Sequence, residues 1–334
     1  MIPLTDVGWH EQSWQWHLSN AVTDINELVR YLELEGRHEN LSDFPVLVPR
    51  PFLDRIEKSN PRDPLLLQVL PRAEESFAVD GYLPDPLMEG RQTPRRGMIY
   101  KYKGRVLVIV SGACGINCRY CFRRHFPYQG FQPDSAAWER LFEYIGNQPD
   151  ITEVILSGGD PLVLSDRRLA RIADRIAGIP HVHTLRIHTR LPVVIPQRVC
   201  NELIEWIGRS RLDIVFVIHA NHPAELDDAV SDAMAALAGA GIHLLNQSVL
   251  LREVNDDPGV LARLSRRLFR IGVMPYYLHL PDKVRGTSHF DVSEDRARRL
   301  FADLAAELPG YLVPRLAREV PGEASKVILG FPAV

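Results

Sequence analysis

Cysteine is scarce in this chain, with four among 334 residues at positions 114, 118, 121 and 200. So few thiols cannot staple a chain of this length. Cys114, Cys118 and Cys121 lie so close together that they suit a metal in a reducing compartment better than disulfides. Lysine is also rare, with only Lys58, Lys101, Lys103, Lys283 and Lys326 among 39 basic residues. An arginine-preferring sequence keeps lysine partly by chance and partly where a nucleophilic amine is needed, since guanidinium cannot form a Schiff base. No apolar run approaches the roughly 18 residues of a membrane span. The N-terminus lacks the basic start and apolar stretch of a secretion signal. The net charge of −3 leaves no broad basic field for nucleic acid or anionic lipid. These absences predict a cytoplasmic protein with no nucleic-acid or membrane partner.

What is present is ordinary globular composition, 46% hydrophobic and 24% charged. From residue 106 a rhythm begins. Short β-branched runs occur at 106–110, 154–156, 184–187, 214–218, 243–249 and 273–278, and amphipathic stretches at 136–145, 168–176, 198–207, 227–238, 260–271 and 294–308. After a longer first gap the strand starts recur about every 30 residues, the period of parallel βα units. Six such units favour one barrel or partial barrel. An open doubly wound sheet is the alternative, but no G-x-G-x-x-G follows the first strand. Residues 1–95 form a different segment, with an amphipathic helix over 22–34, proline-studded arms, and Trp9, Trp14 and Trp16 as packing anchors. The expected division is 1–95 helical and extended, 96–310 barrel, and 311–334 a C-terminal segment with one more apolar run at 311–316.

Cys114-Gly-Ile-Asn-Cys118-Arg-Tyr-Cys121 enters directly from the first core strand, on the face where barrel enzymes place their chemistry. Three thiolates at C-x3-C-x2-C can hold three irons of a 4Fe–4S cluster and leave one iron open. A zinc site completed by His125 is the competing reading. Cys200 reads as a small buried hydrophobe within a helix.

The C-x3-C-x2-C with Tyr120 before its third cysteine resembles the radical S-adenosylmethionine (SAM) enzymes. So does Ser157-Gly158-Gly159-Asp160-Pro161 after the second strand. Further segments resemble lysine 2,3-aminomutase: Cys121-Phe-Arg-Arg124, Leu191-Pro-Val-Val-Ile-Pro-Gln-Arg198, His219-Ala-Asn-His-Pro223, Asn246-Gln-Ser-Val-Leu-Leu-Arg252, Pro275-Tyr-Tyr277 and Pro321-Gly-Glu-Ala-Ser-Lys326. The match runs in order from about Tyr100 to Lys326. It is strongest toward the compact branch whose product, (R)-β-lysine, modifies elongation factor P.

That resemblance implies an α/β radical SAM partial (β/α)6 TIM-like barrel with an N-terminal helical segment. It implies a 4Fe–4S cluster on Cys114, Cys118 and Cys121, and SAM bound by Ser157, Gly158, Gly159, Asp160, His219 and Gln247. Pyridoxal 5′-phosphate (PLP) is implied on the catalytic Lys326, with Lys101, Tyr102 and Arg105 around it. Lys101 replaces the family's arginine, and Arg124 is expected to be structural. Substrate contacts fall to Arg123 for the carboxylate and to Asp282 and Glu319 for the ε-ammonium, Glu319 standing where the family has aspartate. The implied partners are free lysine, a flavodoxin- or ferredoxin-like reductant, and elongation factor P with its lysyl ligase. The alternatives are an aminomutase serving free β-lysine metabolism, an arginine- or glutamate-specific cousin, or a metal-binding module without turnover.

Overall fold

The computed structural model describes residues 11–35, 42–131 and 133–331; Trp9 lies outside the described residues. Its nine strands form one sheet in chain order: β1 (Met98–Tyr102), β2 (Arg105–Ser111), β3 (Glu153–Gly158), β4 (Thr184–Thr189), β5 (Asp213–Ile218), β6 (His243–Val249), β7 (Met274–His279), β8 (Arg315–Arg318) and β9 (Val327–Ile328). Strands β2 to β8 pair in parallel. The edge strands β1 and β9 pair antiparallel with β2 and β8. Parallel pairing requires a crossover between neighbours. Helices Ser135–Gly146, Asp166–Ala177, Asn201–Gly208, Asp228–Gly239, Pro258–Arg270 and Glu294–Glu307 supply it, giving the six expected βα units.

Local chemistry explains these elements. The β3 and β5 runs are apolar nearly throughout and bury Val154, Ile155, Leu156, Phe216, Val217 and Ile218, as strands covered on both faces do. Asp134, Asp227 and Asp257 cap the helices that follow them by accepting from the backbone N–H three residues on, at 2.8–2.9 Å. The sheet and the surrounding helices share one large apolar core.

The structure departs from the sequence reading in several places. The N-terminal helix is shorter, Ile25–Tyr31, because Asp24 caps it and Val22 pairs instead with Val48. Strand β1 forms a hairpin with β2 through Lys103-Gly104, with Gly104 at φ +83°. The run at 311–316 divides into a 3₁₀ turn, Gly310–Leu312, and β8, a seventh parallel strand. The helix expected from 198 starts at Asn201. The Arg198 side chain turns inward to the Leu162 carbonyl at 2.7 Å and to Asp166 at 2.9 Å. Cys200 is thus the residue before the helix, partly buried, with its thiol 3.6 Å from Asp166. Trp14 is buried against the Arg198 guanidinium, as an anchor should be.

The N-terminal segment supports the cysteine loop. The Arg119 backbone N–H donates to the Gln68 carbonyl at 2.8 Å, and that of Asn117 to Leu47 at 2.9 Å. The buried Glu75 carboxylate accepts from Arg119 Nε at 2.8 Å and Arg124 Nη2 at 2.6 Å. Arg124 also donates to the Gly286 carbonyl at 2.8 Å, which makes it a structural tie between loops. Burial works against the Glu75 charge, but the two arginines outweigh it and hold the carboxyl below its ordinary range. Removing that charge strands two buried cations. Glu75→Gln is therefore expected to lower unfolding free energy by about 3–5 kcal/mol in urea denaturation; a loss under about 1 kcal/mol would contradict this.

Candidate active site

Every strand of the parallel ladder delivers its following residues to the same edge of the sheet. Cys114 lies just beyond β2, Asp160 beyond β3, Arg190 beyond β4, His219 beyond β5, Asp282 beyond β7 and Glu319 beyond β8, while Gln247 sits within β6. The sheet thus gathers residues that are far apart in the chain.

The cysteine loop packs against the end of β3 through backbone. Gly159 N–H donates to Ser111 O and Asp160 N–H to Ala113 O, both at 2.8 Å. Gly158 sits at φ +124°, and a Cβ there would strike the Ser111 carbonyl, as one at Gly159 would strike that of Ala113. These two glycines are required for close approach of the loops. Asp160 is buried and fully engaged: it accepts from Thr189 Oγ1 and Arg190 N–H at 2.7 Å and from Leu162 and Leu191 N–H at 3.0 Å. Burial still raises its pKa above the ordinary value, against those bonds. Its carboxylate holds the loops after β3 and β4 together.

The thiols are desolvated and sense one another. Burial, then Cys121, raises Cys114; burial, then Cys118, raises Cys121 to about 11. Burial that disfavours the Cys114 and Cys121 thiolates, in a loop that also carries Cys118, fits a metal centre whose positive charge replaces the protons. Arg190 Nη1 donates to Cys118 Sγ at 2.8 Å. His125, the fourth ligand a zinc site would require, directs Nε2 to the Arg285 carbonyl at 3.0 Å.

Next to the loop, Arg123 is buried and gripped along one edge by Glu89, Nε to Oε2 at 2.7 Å and Nη2 to Oε1 at 2.9 Å. Its Nη1 faces Ser157 Oγ at 3.2 Å and Gly158 O at 3.3 Å. Glu89 also lies 3.3 Å from Lys101 Nζ. Burial opposes its charge, but Arg123 and Lys101 pull its pKa down to about 2. On the far side, Glu319 accepts from Tyr102 OH and pairs with Lys326 Nζ, and Arg105 stacks over the Tyr102 ring at 4.8 Å. Burial would raise Glu319, but Lys326 and Tyr102 hold it below its ordinary value. A cleft of about 120 Å³ opens here, lined in part by Lys101, Tyr102, Glu319 and Gly322.

Lys101, Tyr102, Arg105, Arg123, Glu319 and Lys326, proposed from sequence, therefore meet around neighbouring charges. His219 and Gln247 pair at 2.8 Å, and burial lowers His219 to about 3, so its imidazole is neutral. Asp282 stands beside Glu319: burial first, then the Glu319 charge, raise it to about 7, with Lys326 and Lys101 pulling the other way. Sequence reasoning missed Glu89, Arg190 and His188. His188 is a half-buried imidazole on β4, held neutral by desolvation, whose ring lies 6.2 Å from that of His219. Arg190 was findable as a cation directly after a strand. Glu89, in an irregular segment, gave no signal.

The Asp282 carboxyl should titrate near pH 7, protonated below and charged above, by difference infrared spectroscopy of Asp-labelled protein. Glu319→Gln removes a like charge and should lower that midpoint; an unmoved midpoint would place Glu319 outside its neighbourhood.

A model of the radical SAM superfamily matches residues 108–264. The L-lysine 2,3-aminomutase of Escherichia coli (strain K12) is 47% identical over 95% of this chain and 94% of its own length. That of Haemophilus influenzae is 44% identical over 98% of both. The Clostridium subterminale L-lysine 2,3-aminomutase is 34% identical over 97% of this chain and 78% of its own. Among solved structures, a radical SAM methyltransferase from Sphaerobacter thermophilus aligns with TM-score 0.44 at 16% identity, covering 66% of this chain and 68% of its own. With near-complete coverage at such identity, and with the thiols and charges gathered at one sheet edge, this chain belongs to the lysine 2,3-aminomutase family of radical SAM isomerases.

Proposed function

We propose that this protein converts (S)-α-lysine into (R)-β-lysine, with a 4Fe–4S cluster on Cys114, Cys118 and Cys121, SAM beside it, and PLP carried by Lys326. When bound, the cluster and SAM supply the one-electron chemistry that activates an unreactive C–H bond, and PLP supplies the conjugated ring that lets nitrogen move between carbons. The observation that carries this reading is the charge layout. A guanidinium, Arg123, stands next to the cysteine loop, and two acids, Asp282 and Glu319, stand beyond β7 and β8 next to Lys326. A substrate with an α-carboxylate and a distal ammonium meets opposite charges at its two ends.

The chain's own residues have distinct tasks. Glu89 takes the Nε edge of Arg123 and fixes the plane of the guanidinium; a substrate carboxylate is received on the Nη1–Nη2 side, taking Nη1 over from Ser157 and Gly158. Asp282 receives the ε-ammonium, and Glu319 already holds an ammonium, that of Lys326. Lys101 and Arg105 offer cations to a phosphate, with Tyr102 between them. Neutral His219, braced by Gln247, offers SAM a hydrogen-bonding ring without added charge. Gly158 and Gly159 bring backbone close to the cluster loop, whereas the Asp160 carboxylate is committed to that scaffold.

The electron enters from a flavodoxin- or ferredoxin-like donor, and the β-lysine serves elongation factor P through its lysyl ligase. Higher identity toward the Escherichia coli relative, 47%, than toward the Clostridium one, 34%, supports that branch. No helix among the described residues is long and apolar enough to cross a membrane.

Anaerobic incubation with lysine, SAM, PLP and dithionite, followed by chiral chromatography, should yield (R)-β-lysine. Because Asp282 is charged only above about pH 7, kcat/KM for lysine should fall as the pH drops through that value. The charges facing it are Glu319, Lys326, Lys101 and Glu89. Asp282→Asn should abolish that limb and cut kcat/KM by at least about a hundredfold, since it strands a buried ammonium. Preference for glutamate by a cluster-loaded enzyme would overturn the substrate assignment.

A further inference from the structure

Arg190 follows β4 directly and is buried, 5% exposed, at the base of the cysteine loop. Its guanidinium makes contacts on several sides. Nη1 reaches Cys118 Sγ at 2.8 Å and also Tyr120 OH. Nη2 donates to Gln68 Oε1 and to Glu225 Oε2, both at 2.8 Å. Its plane lies near the rings of Phe52 and Tyr120, 5.5 Å from each. The backbone N–H donates to Asp160, so the residue is fixed at root and tip.

The partners are fixed in turn. Glu225 Oε1 accepts from the backbone N–H of Asn221 at 2.8 Å and of His222 at 3.0 Å, and from Gln68 Nε2 at 3.2 Å. Asn221 Nδ2 donates to Gln68 Oε1 at 3.0 Å. A buried arginine with a good carboxylate partner needs no sulfur to satisfy it. That one arm is nevertheless directed at a cysteine of the C-x3-C-x2-C loop asks for a reason.

We infer that Arg190 sets the reduction potential of the cluster held by that loop, and that Glu225 and Gln68 position it to do so. The inference rests on the cluster assignment made above. Reduction adds one electron to the cluster from a one-electron donor, with no bond made or broken. The added negative charge is stabilised by a cationic N–H held on a ligand sulfur, and hydrogen bonds to the sulfurs and local charge are what tune such potentials. Arg190 therefore makes the cluster easier to reduce. Glu225 moderates the effect, because its opposite charge lies on the same guanidinium.

The test is EPR-monitored potentiometry of the anaerobically loaded holoprotein, without SAM, in mediators poised with dithionite. In Arg190→Gln the midpoint should become more negative, enough to raise the oxidised-to-reduced ratio about tenfold at fixed potential, or about 59 mV for a one-electron couple. In Glu225→Gln, which leaves the cation uncompensated, it should move the other way. Shifts of opposite sign are not expected from a merely structural role, which would change cluster occupancy or thermal stability instead. Equal midpoints in wild type and in a cluster-loaded Arg190→Gln would overturn the inference. Should both variants fail to fold, wild-type protein labelled with 15N-arginine decides: pulsed EPR of its reduced cluster should show a weakly coupled arginine nitrogen, and absence of that coupling overturns the inference. Wild type lacking four irons and sulfides per chain would instead remove the cluster assignment, a failure distinguishable from the others.

Discussion

The reactive edge of this protein depends on one buried carboxylate. Asp160 accepts four hydrogen bonds from the loops after β3 and β4. Its own backbone N–H is bonded to the cysteine loop after β2. Three loops that share no sequence neighbourhood are thereby set at fixed distances, and Arg190 is held against Cys118. A buried carboxyl so saturated is costly to replace, because each donor it leaves behind would be buried without a partner. The parallel sheet makes the arrangement possible, since every strand ends on the same side.

A second constraint acts on the charges. Arg123 and Lys101 share Glu89, Lys326 pairs with Glu319, and Arg190 pairs with Glu225. Cations placed in a desolvated cleft are costly unless paired, so the cleft carries its own counter-ions. On the proposed function, each charge that a ligand brings meets one of opposite sign already standing in the cleft, and shares or takes over its partner. The protonation of Asp282 near neutral pH has the same origin, since a second acid beside Glu319 cannot ionise freely in a buried place.

The βα ladder was legible because short apolar, β-branched runs alternate at a steady spacing with amphipathic stretches of helical period. Strand β1 was not, because a two-residue hairpin at Lys103-Gly104 leaves no visible gap between it and β2. The short β8 has charged ends, Arg315 and Arg318, and is identified by its pairing with β7 and β9. Among the candidate site residues, the cysteines were readable from their own spacing, whereas Lys326 and Arg123 were implied only by the family resemblance of the segments that carry them. The resemblance implied SAM contact for the segment that contains Asp160, and the folded chain gives the Asp160 carboxylate a further task that the motif did not reveal, binding Thr189 and the backbone of the next loop. Glu89 was invisible because its significance lies in Arg123, 34 positions away, and Glu75 because its partners are 44 and 49 positions away. Ion pairs of that range leave no local pattern.

On the proposed function, residues from β1, the β7 loop and the two ends of the β8–β9 hairpin converge on one PLP site built around Lys326. That convergence is tested most directly by reducing PLP-loaded protein with borohydride and mapping the modified peptide by mass spectrometry. The account predicts one pyridoxyl group per chain, on Lys326, with Lys101 and Lys283 unmodified; a label on Lys283 or Lys101 instead would contradict it.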